Sequence, residues 1–225
     1  MANRPDHQSK IVSISAESEI TRTRYNRNAP IYDLMDLLPE QRFAGWRKQL
    51  WDRIPTGRVL EVGVGTGKNF PYHPAGTEVT GIDLSEGMLA KARRRAEKLG
   101  YGPELHHMDA QRLDFPDNTF DAAVATFVYC SVPDPGLGLQ ELARVVKPEG
   151  QIMLLEHVRI DRPAIIGKLM DWLDPLVVRL VGAHINRRTA ETVQQAGLEI
   201  EQVENLAPQG LVKLIIARPY SDKIR

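Results

Sequence analysis

The chain has 225 residues, enough for one α/β domain with a full core and some decoration. Its 29 basic and 29 acidic residues cancel, so no global field recruits nucleic acid or an anionic membrane. One cysteine excludes an intramolecular disulfide, and no 18-residue apolar run exists to span a bilayer.

Residues 1–10 are polar, lack a signal-peptide core and read as a frayed tail. From Ile11 to Arg27 the pattern is weakly helical, either a helix packed loosely on the domain or an amphipathic segment. The second alternative would lie on lipid or lid an active site. Phe43, Trp46, Leu50 and Trp51 recur at helical spacing and predict a core-facing helix ended by Pro55-Thr56-Gly57.

The stretch Val59-Leu60-Glu61-Val62-Gly63-Val64-Gly65-Thr66-Gly67-Lys68-Asn69 organises the rest. A β-branched strand breaks into three glycines at alternate positions, a turn that lets a ligand touch the backbone. Two related motifs are excluded. The GxxxxGK[ST] pattern would need glycine at Val62 and a hydroxyl at Asn69, and GxGxxG would need glycine at Lys68. A helix is expected to start near Asn69.

Thr77 to Asp83 reads as a second strand, and Ser85 as the cap of a helix from Glu86 to Leu99 closed by Gly100. Glu104 to Met108 is a third strand ending at Asp109, and Phe120 to Phe127 a fourth. Pro133-Asp134-Pro135 marks a loop, Gly138 to Val146 a helix, Lys147 to Gly150 a turn, and Gln151 to His157 a fifth strand. Ile165 to Val181 is an apolar helical insertion, interrupted at Asp174-Pro175. Thr189 to Ala196 is a helix stopped by Gly197, and Leu198 to Val203 with Leu211 to Ala217 form an antiparallel edge hairpin. This alternation predicts a doubly wound, seven-stranded, mostly parallel sheet with helices on both faces. The division expected is an N-terminal helical lid or membrane-contacting segment, 1–57, and a ligand-binding domain, 58–225, with its insertion at about 163–188.

Ligands of open α/β sheets bind at the carboxyl ends of the strands. Asp83 lies about 20 residues past the glycine turn, the usual reach of an acid gripping ribose hydroxyls. Asp109 ends the third strand and Thr126 the fourth, so polar groups sit at three successive strand ends. Together with the glycines they describe a nucleoside site. No metal-ligand spacing appears, and His106-His107 read as strand or surface residues.

Residues 24–218 resemble the class I S-adenosylmethionine methyltransferases of the quinone- and phospholipid-methylating branch. The resemblance rests on Val59 to Gly67, Gly81-Ile82-Asp83-Leu84-Ser85 with Met88, Asp109-Ala110-Gln111, Leu113 to Asp121 and Val146 to Gly150. It departs at Glu149, where the family's turn commonly has a second glycine. It implies S-adenosylmethionine as cofactor and S-adenosylhomocysteine as product. Glu61, Gly63, Gly65 and Gly67 would surround the methionine part, Asp83 with Leu84 the ribose, Asp109 and Ala110 the adenine, with Met88 on its face. Thr126 would sit beneath the sulfur-bearing arm.

Tyr25 to Asp33, Phe127 to Pro135, Leu154 to Val158 and Asn186 to Thr189 further resemble bacterial phospholipid N-methyltransferases of the Rhodobacter type. That implies successive methylation of phosphatidylethanolamine toward phosphatidylcholine. A C-methyltransferase of a ubiquinone or menaquinone precursor is the alternative, and a non-catalytic S-adenosylmethionine-binding regulator the alternative of another class. Tyr25 and Tyr32 are expected to close over the sulfonium, with Tyr32 or His157 near the incoming amine; His157 alternatively is a core residue. Arg187, Arg188 and Lys168 are expected to meet a lipid phosphate, with Arg179 beside them on the insertion. A solvated helix start for the arginine pair and plain core packing for the insertion are the competing readings. The expected partners are a phospholipid and the membrane surface, with no nucleic acid or protein partner. The expected location is cytoplasmic, peripheral to the inner face of the cell membrane.

Overall fold

A computed structural model describes residues 15–35, 37–180 and 182–220. The expectations for Met1 to Ile14 therefore lie outside the described residues. Two helices, α1 (Ala16–Met35) and α2 (Leu37–Trp51), precede β1 (Arg58–Val62) and β2 (Glu78–Asp83). Then follow α3 (Glu86–Leu99), β3 (Glu104–His107), β4 (Phe120–Thr126), α4 (Pro135–Val145) and β5 (Val146–His157). Helices α5 (Ala164–Leu180) and α6 (Thr189–Gln195) lead to β6 (Leu198–Asn205) and β7 (Val212–Pro219).

The strands form one sheet in the order β3-β2-β1-β4-β5-β7-β6. β1 to β5 pair in parallel, and β7 inserts antiparallel between β5 and β6. Strand order reverses between β1 and β4, so the carboxyl ends of these two strands flank the crevice where such sheets bind ligands.

Both sheet faces are buried, which explains why the central strands read as apolar runs rather than alternating ones. Leu60, Val62, Ala123, Ala125, Ile152 and Leu154 point to the core under α4 and α6. Their neighbours Val59, Ala122, Val124, Met153 and Leu155 point to the opposite core with Leu50 and Trp51 of α2.

Four local expectations are corrected. No α-helix follows the glycines; Pro71 and Pro74 break the segment, leaving a single 3-10 turn over Phe70–Tyr72. α1 runs on past Arg27 through Pro30, and α5 continues through the expected interruption at Pro175, since tertiary packing outweighs one lost backbone bond at each proline. α4 begins three residues early, because the Asp134 carboxylate accepts the Leu137 N–H and Pro135 suits the first turn. Lys147 to Gly150 is an irregularity within β5, where pairing jumps from Phe120–Val146 to Ala122–Gln151.

Candidate active site

The carboxyl ends of β1, β2 and β4 open into a cleft of about 890 Å³, its open mouth included. Its floor is Val62 to Thr66, its sides are Asp83 to Ser85 and Met108 to Ala110, and Phe127, Val128 and Ser131 to Pro133 form the far wall. Met88 lines it and is buried. α1 crosses the top, contributing Thr21, Arg22, Tyr25 and Tyr32. The N-terminal helix is thus part of the site.

The glycine turn is built as the sequence requires. Gly63, Gly65 and Gly67 all have positive φ, at 67°, 55° and 79°. A side chain at Gly63 would strike Val128, and one at Gly67 would strike Phe70. Gly65 differs: no atom lies within 4 Å of where its Cβ would be, and it lines the cleft. That bare backbone leaves room for a ligand to press against the turn.

Asp83 ends β2 with both carboxylate oxygens engaged once. Oδ2 accepts from Gly65 N–H and Oδ1 from Ser85 N–H, each at 2.8 Å. Each oxygen keeps a lone pair for a hydroxyl donor. Burial pushes this carboxyl up to about 6, against the opposing pull of those two amides. Asp109 is oriented by Gln111, whose backbone N–H and side-chain amide both donate to it. The same Gln111 amide donates to Ser18 Oγ of α1 at 2.7 Å.

Further bonds tie α1 to the glycine turn and to α3. Thr66 Oγ1 donates to Asp33 Oδ1 at 2.7 Å, and Lys91 Nζ donates to Pro30 O at 3.0 Å. Tyr25 and Tyr32 present their rings 6.4 Å apart. Burial holds the Tyr25 hydroxyl well above the usual phenol range, so it stays protonated.

Several expected residues sit elsewhere. Glu61 does not line the cleft; it is fully buried beneath the turn, accepting from Asn69 Nδ2 at 2.7 Å and facing His73 Nε2 at 2.9 Å. It braces the turn from below. Gly67 likewise faces Phe70 rather than the cleft. His157 packs its ring against Phe127 and Phe43, at 4.5 and 5.7 Å, behind the cleft wall. Lys168 is exposed on α5, away from the cleft lining. Arg188 pairs with Asp161 and Glu191. Arg187 alone approaches, donating from Nη2 to the carbonyl of the wall residue Val132 at 3.0 Å. Its buried Nε has no partner, and burial lowers its pKa.

Sequence reading missed Arg47, Lys68 and Glu156. Arg47 is buried in the cleft, where Nη1 donates to Thr126 Oγ1 at 2.8 Å and Asn69 Oδ1 at 3.0 Å, and Nε to Glu40 at 3.1 Å. Its only signal was a charge on an otherwise apolar helix face, beside Trp46. Lys68 lines the cleft and pairs with Glu40. Glu156, the penultimate residue of β5, is fully buried, its Oε1 accepting from Val128 and Tyr129 N–H at 2.9 and 3.0 Å. It stabilises a bend in which Phe127 adopts φ 59°, a strained value for an aromatic residue. Burial pushes the Glu156 carboxyl up to about 7. Among the described residues no group of His, Cys, Asp and Glu could hold a metal.

A methyltransferase-domain family profile matches residues 60–154, the span from β1 to β5 that builds the cleft. A phosphatidylethanolamine N-methyltransferase of Cereibacter sphaeroides is 38% identical over 159 residues, covering 69% of this chain and 76% of that protein. The chain belongs to the class I S-adenosylmethionine-dependent methyltransferases. A demethylmenaquinone methyltransferase of Bacillus cereus is 36% identical to this methyltransferase over 207 residues, covering 77% of the chain and 84% of that protein. Further demethylmenaquinone methyltransferases align over 54%, 57% and 60% of their own lengths. The methyltransferase also shares its fold with the [4+2]-cyclase SpnF, at TM-score 0.74 and 19% identity, covering 93% of this chain and 99% of that one.

The cleft fits the cofactor of this family. The open face of Gly65, the spare lone pairs of Asp83 and the buried Met88 side chain suit a nucleoside, and Asp109 lines the same cleft. Arg47 and Lys68 line the cleft near Thr66 and Thr126, and both pair with Glu40.

Proposed function

We propose that the chain N-methylates the headgroup amine of phosphatidylethanolamine, in successive steps toward phosphatidylcholine, at the inner membrane surface. The observation that carries this reading is the 38% identity to a phosphatidylethanolamine N-methyltransferase across three quarters of that protein.

When bound, S-adenosylmethionine supplies an activated methyl group and leaves as S-adenosylhomocysteine. The chain's own task is placement and exclusion of water. Asp83 and Asp109 orient the nucleoside, and the backbone at Gly65 admits the cofactor against the turn. Tyr25, Tyr32 and Phe127 line the far end with aromatic groups, suited to an alkylated ammonium product. Tyr25 and Tyr32 close the cleft and exclude water; burial keeps the Tyr25 hydroxyl protonated, so it is not the base. Arg187, which donates to the carbonyl of the wall residue Val132, is the guanidinium assigned to the substrate phosphate in this reading. Arg188 and Lys168 are not assigned that role, since one is ion-paired and the other faces solvent.

A second reading, ring C-methylation of a menaquinone precursor, is favoured by the Bacillus cereus relative. Incubation with methyl-labelled S-adenosylmethionine, phosphatidylethanolamine vesicles and, separately, a demethylated quinol tests the two. Label in mono-, di- or trimethylated phospholipid is the expected result. Label confined to the quinol would overturn the lipid reading.

A further inference from the structure

Helix α5 has two unlike faces. One is turned inward: Met170 and Asp174 are buried, and the Asp174 carboxylate accepts from Ile185 N–H at 2.8 Å and meets His184 Nδ1 at 2.7 Å. The other carries Ile165, Leu169, Trp172 and Leu176, exposed by 75%, 53%, 75% and 55%. Steps of four, three and four residues put these side chains in one stripe along the helix. Single exposed apolar residues are ordinary, but a continuous stripe centred on a tryptophan marks a contact surface.

The charges around the stripe that have no ion-pair partner among the described residues have one sign. Lys168 and Arg179 lie along one edge of it and Arg162 precedes the helix; all three are exposed. None of the three makes an ion pair among the described residues. The nearby acids Asp161 and Asp171 are already engaged, by Arg159 and Arg188. At 17 residues α5 is about 25 Å long at 1.5 Å per residue, and no described helix is long and apolar enough to cross a membrane. An apolar stripe with an uncompensated basic edge complements an anionic bilayer surface, with Trp172 at headgroup level.

The C-terminal end of α5 leads directly to the cleft. Gly182 packs against the Arg24 side chain of α1, and His184 N–H donates to Cys130 O at 2.8 Å, beside the wall residues Ser131 and Val132. We infer that α5 is an in-plane docking element that lays its stripe into an anionic lipid bilayer and so holds the cleft against the membrane. This deepens the lipid reading above, yet its test needs no substrate.

The experiment is sedimentation of the full chain with vesicles of phosphatidylcholine alone or with one quarter phosphatidylglycerol, neither of which offers a methylatable amine. The chain should partition onto the anionic vesicles, about tenfold better than onto neutral ones. Leu169→Glu with Trp172→Glu should abolish binding to both while leaving the melting temperature and cofactor affinity unchanged. Lys168→Glu with Arg179→Glu should remove only the preference for anionic vesicles. Vesicle binding by the Leu169→Glu/Trp172→Glu variant equal to wild type would overturn the inference. So would a wild-type dimer that this variant splits without loss of vesicle binding, since the stripe would then meet a second copy. Binding to these vesicles, with no label entering phospholipid in the separate phosphatidylethanolamine assay, would leave the docking role standing and sink the lipid-substrate reading alone.

Discussion

Asn26 Oδ1 accepts the Gly87 N–H at 2.9 Å, bringing the middle of α1 onto the first turn of α3. The same oxygen accepts from Ser85 Oγ at 2.6 Å, while Ser85 Oγ itself accepts the Met88 N–H at 3.1 Å. A side chain at residue 87 would come within 3.2 Å of that oxygen, so glycine lets the two helices meet this closely. The contact latches the covering helix to the loop that presents Asp83.

Asn26→Ala should therefore loosen α1 over the cleft more than it destabilises the domain. Two lost hydrogen bonds of about 1 kcal/mol each predict a rise in cofactor Kd of about tenfold or more. Calorimetric titration with S-adenosylhomocysteine checks this; an unchanged Kd would show that α1 does not shape the cofactor site.

Gly65→Ala and Gly63→Ala separate ligand contact from folding. Alanine at 65 meets no protein atom, so the fold loses only the backbone cost of a left-handed alanine, about 1 kcal/mol. Its methyl group nevertheless projects into ligand space, and cofactor affinity should fall at least about tenfold. Alanine at 63 collides with Val128 at 2.5 Å and should lower the melting temperature more. Thermal melts alongside binding measurements resolve the pair.

Asp83 should make cofactor affinity depend on pH. The ionised carboxylate offers acceptors only, and with its pKa at about 6 it gains a proton as pH falls below 6. Affinity should weaken by up to about tenfold per pH unit below that point. Asp83→Asn should bind weakly at every pH, with a flat profile; a wild-type profile flat from pH 7 to 5 would contradict the assignment.

Glu156 carries the opposite of the usual carboxylate contribution to stability. Its folded pKa of about 7 exceeds the ordinary 4.5, so the folded state binds the proton more tightly. Stability is greatest below pH 4.5 as far as this group is concerned, falls as pH rises to about 7, and stays reduced above it. Glu156→Gln retains an oxygen for the Val128 and Tyr129 amides and removes the titration. At pH 8 the variant should be the more stable protein, by up to about 3 kcal/mol, with the difference vanishing near pH 4.5. Denaturant melts at the two pH values measure the effect.

Much of the nucleotide half was legible because each feature has a local cause. The triple glycine needs positive φ, Ser85 caps α3 through its own hydroxyl, and Gly100 ends it with φ 63°. Asp83 was placed by its spacing from the glycine turn and by the resemblance over Gly81 to Ser85. Features set by long-range packing were not legible. Pro175 read as a break and the first helical pattern faded at Arg27, yet neighbouring elements hold both helices continuous through Pro30 and Pro175. Arg47 looks like a surface charge until Thr126, 79 residues away, is found beside it. His157 sits one residue beyond the buried Glu156, and strand alternation turned the wrong one of the pair toward the Val128 bend. The stripe on α5 was visible only as an apolar helix; which side faces solvent required the fold.

Cys130 sits in that bend, buried, its thiol held protonated by the apolar surroundings and by the nearby Glu156. No other cysteine exists in the chain to compete for a label. A thiol so placed is inert until the wall parts, so its rate of alkylation is a stopwatch for local opening. The enzyme thus carries a native single-site reporter, and protection on adding S-adenosylhomocysteine would count how often the wall breathes with and without its occupant.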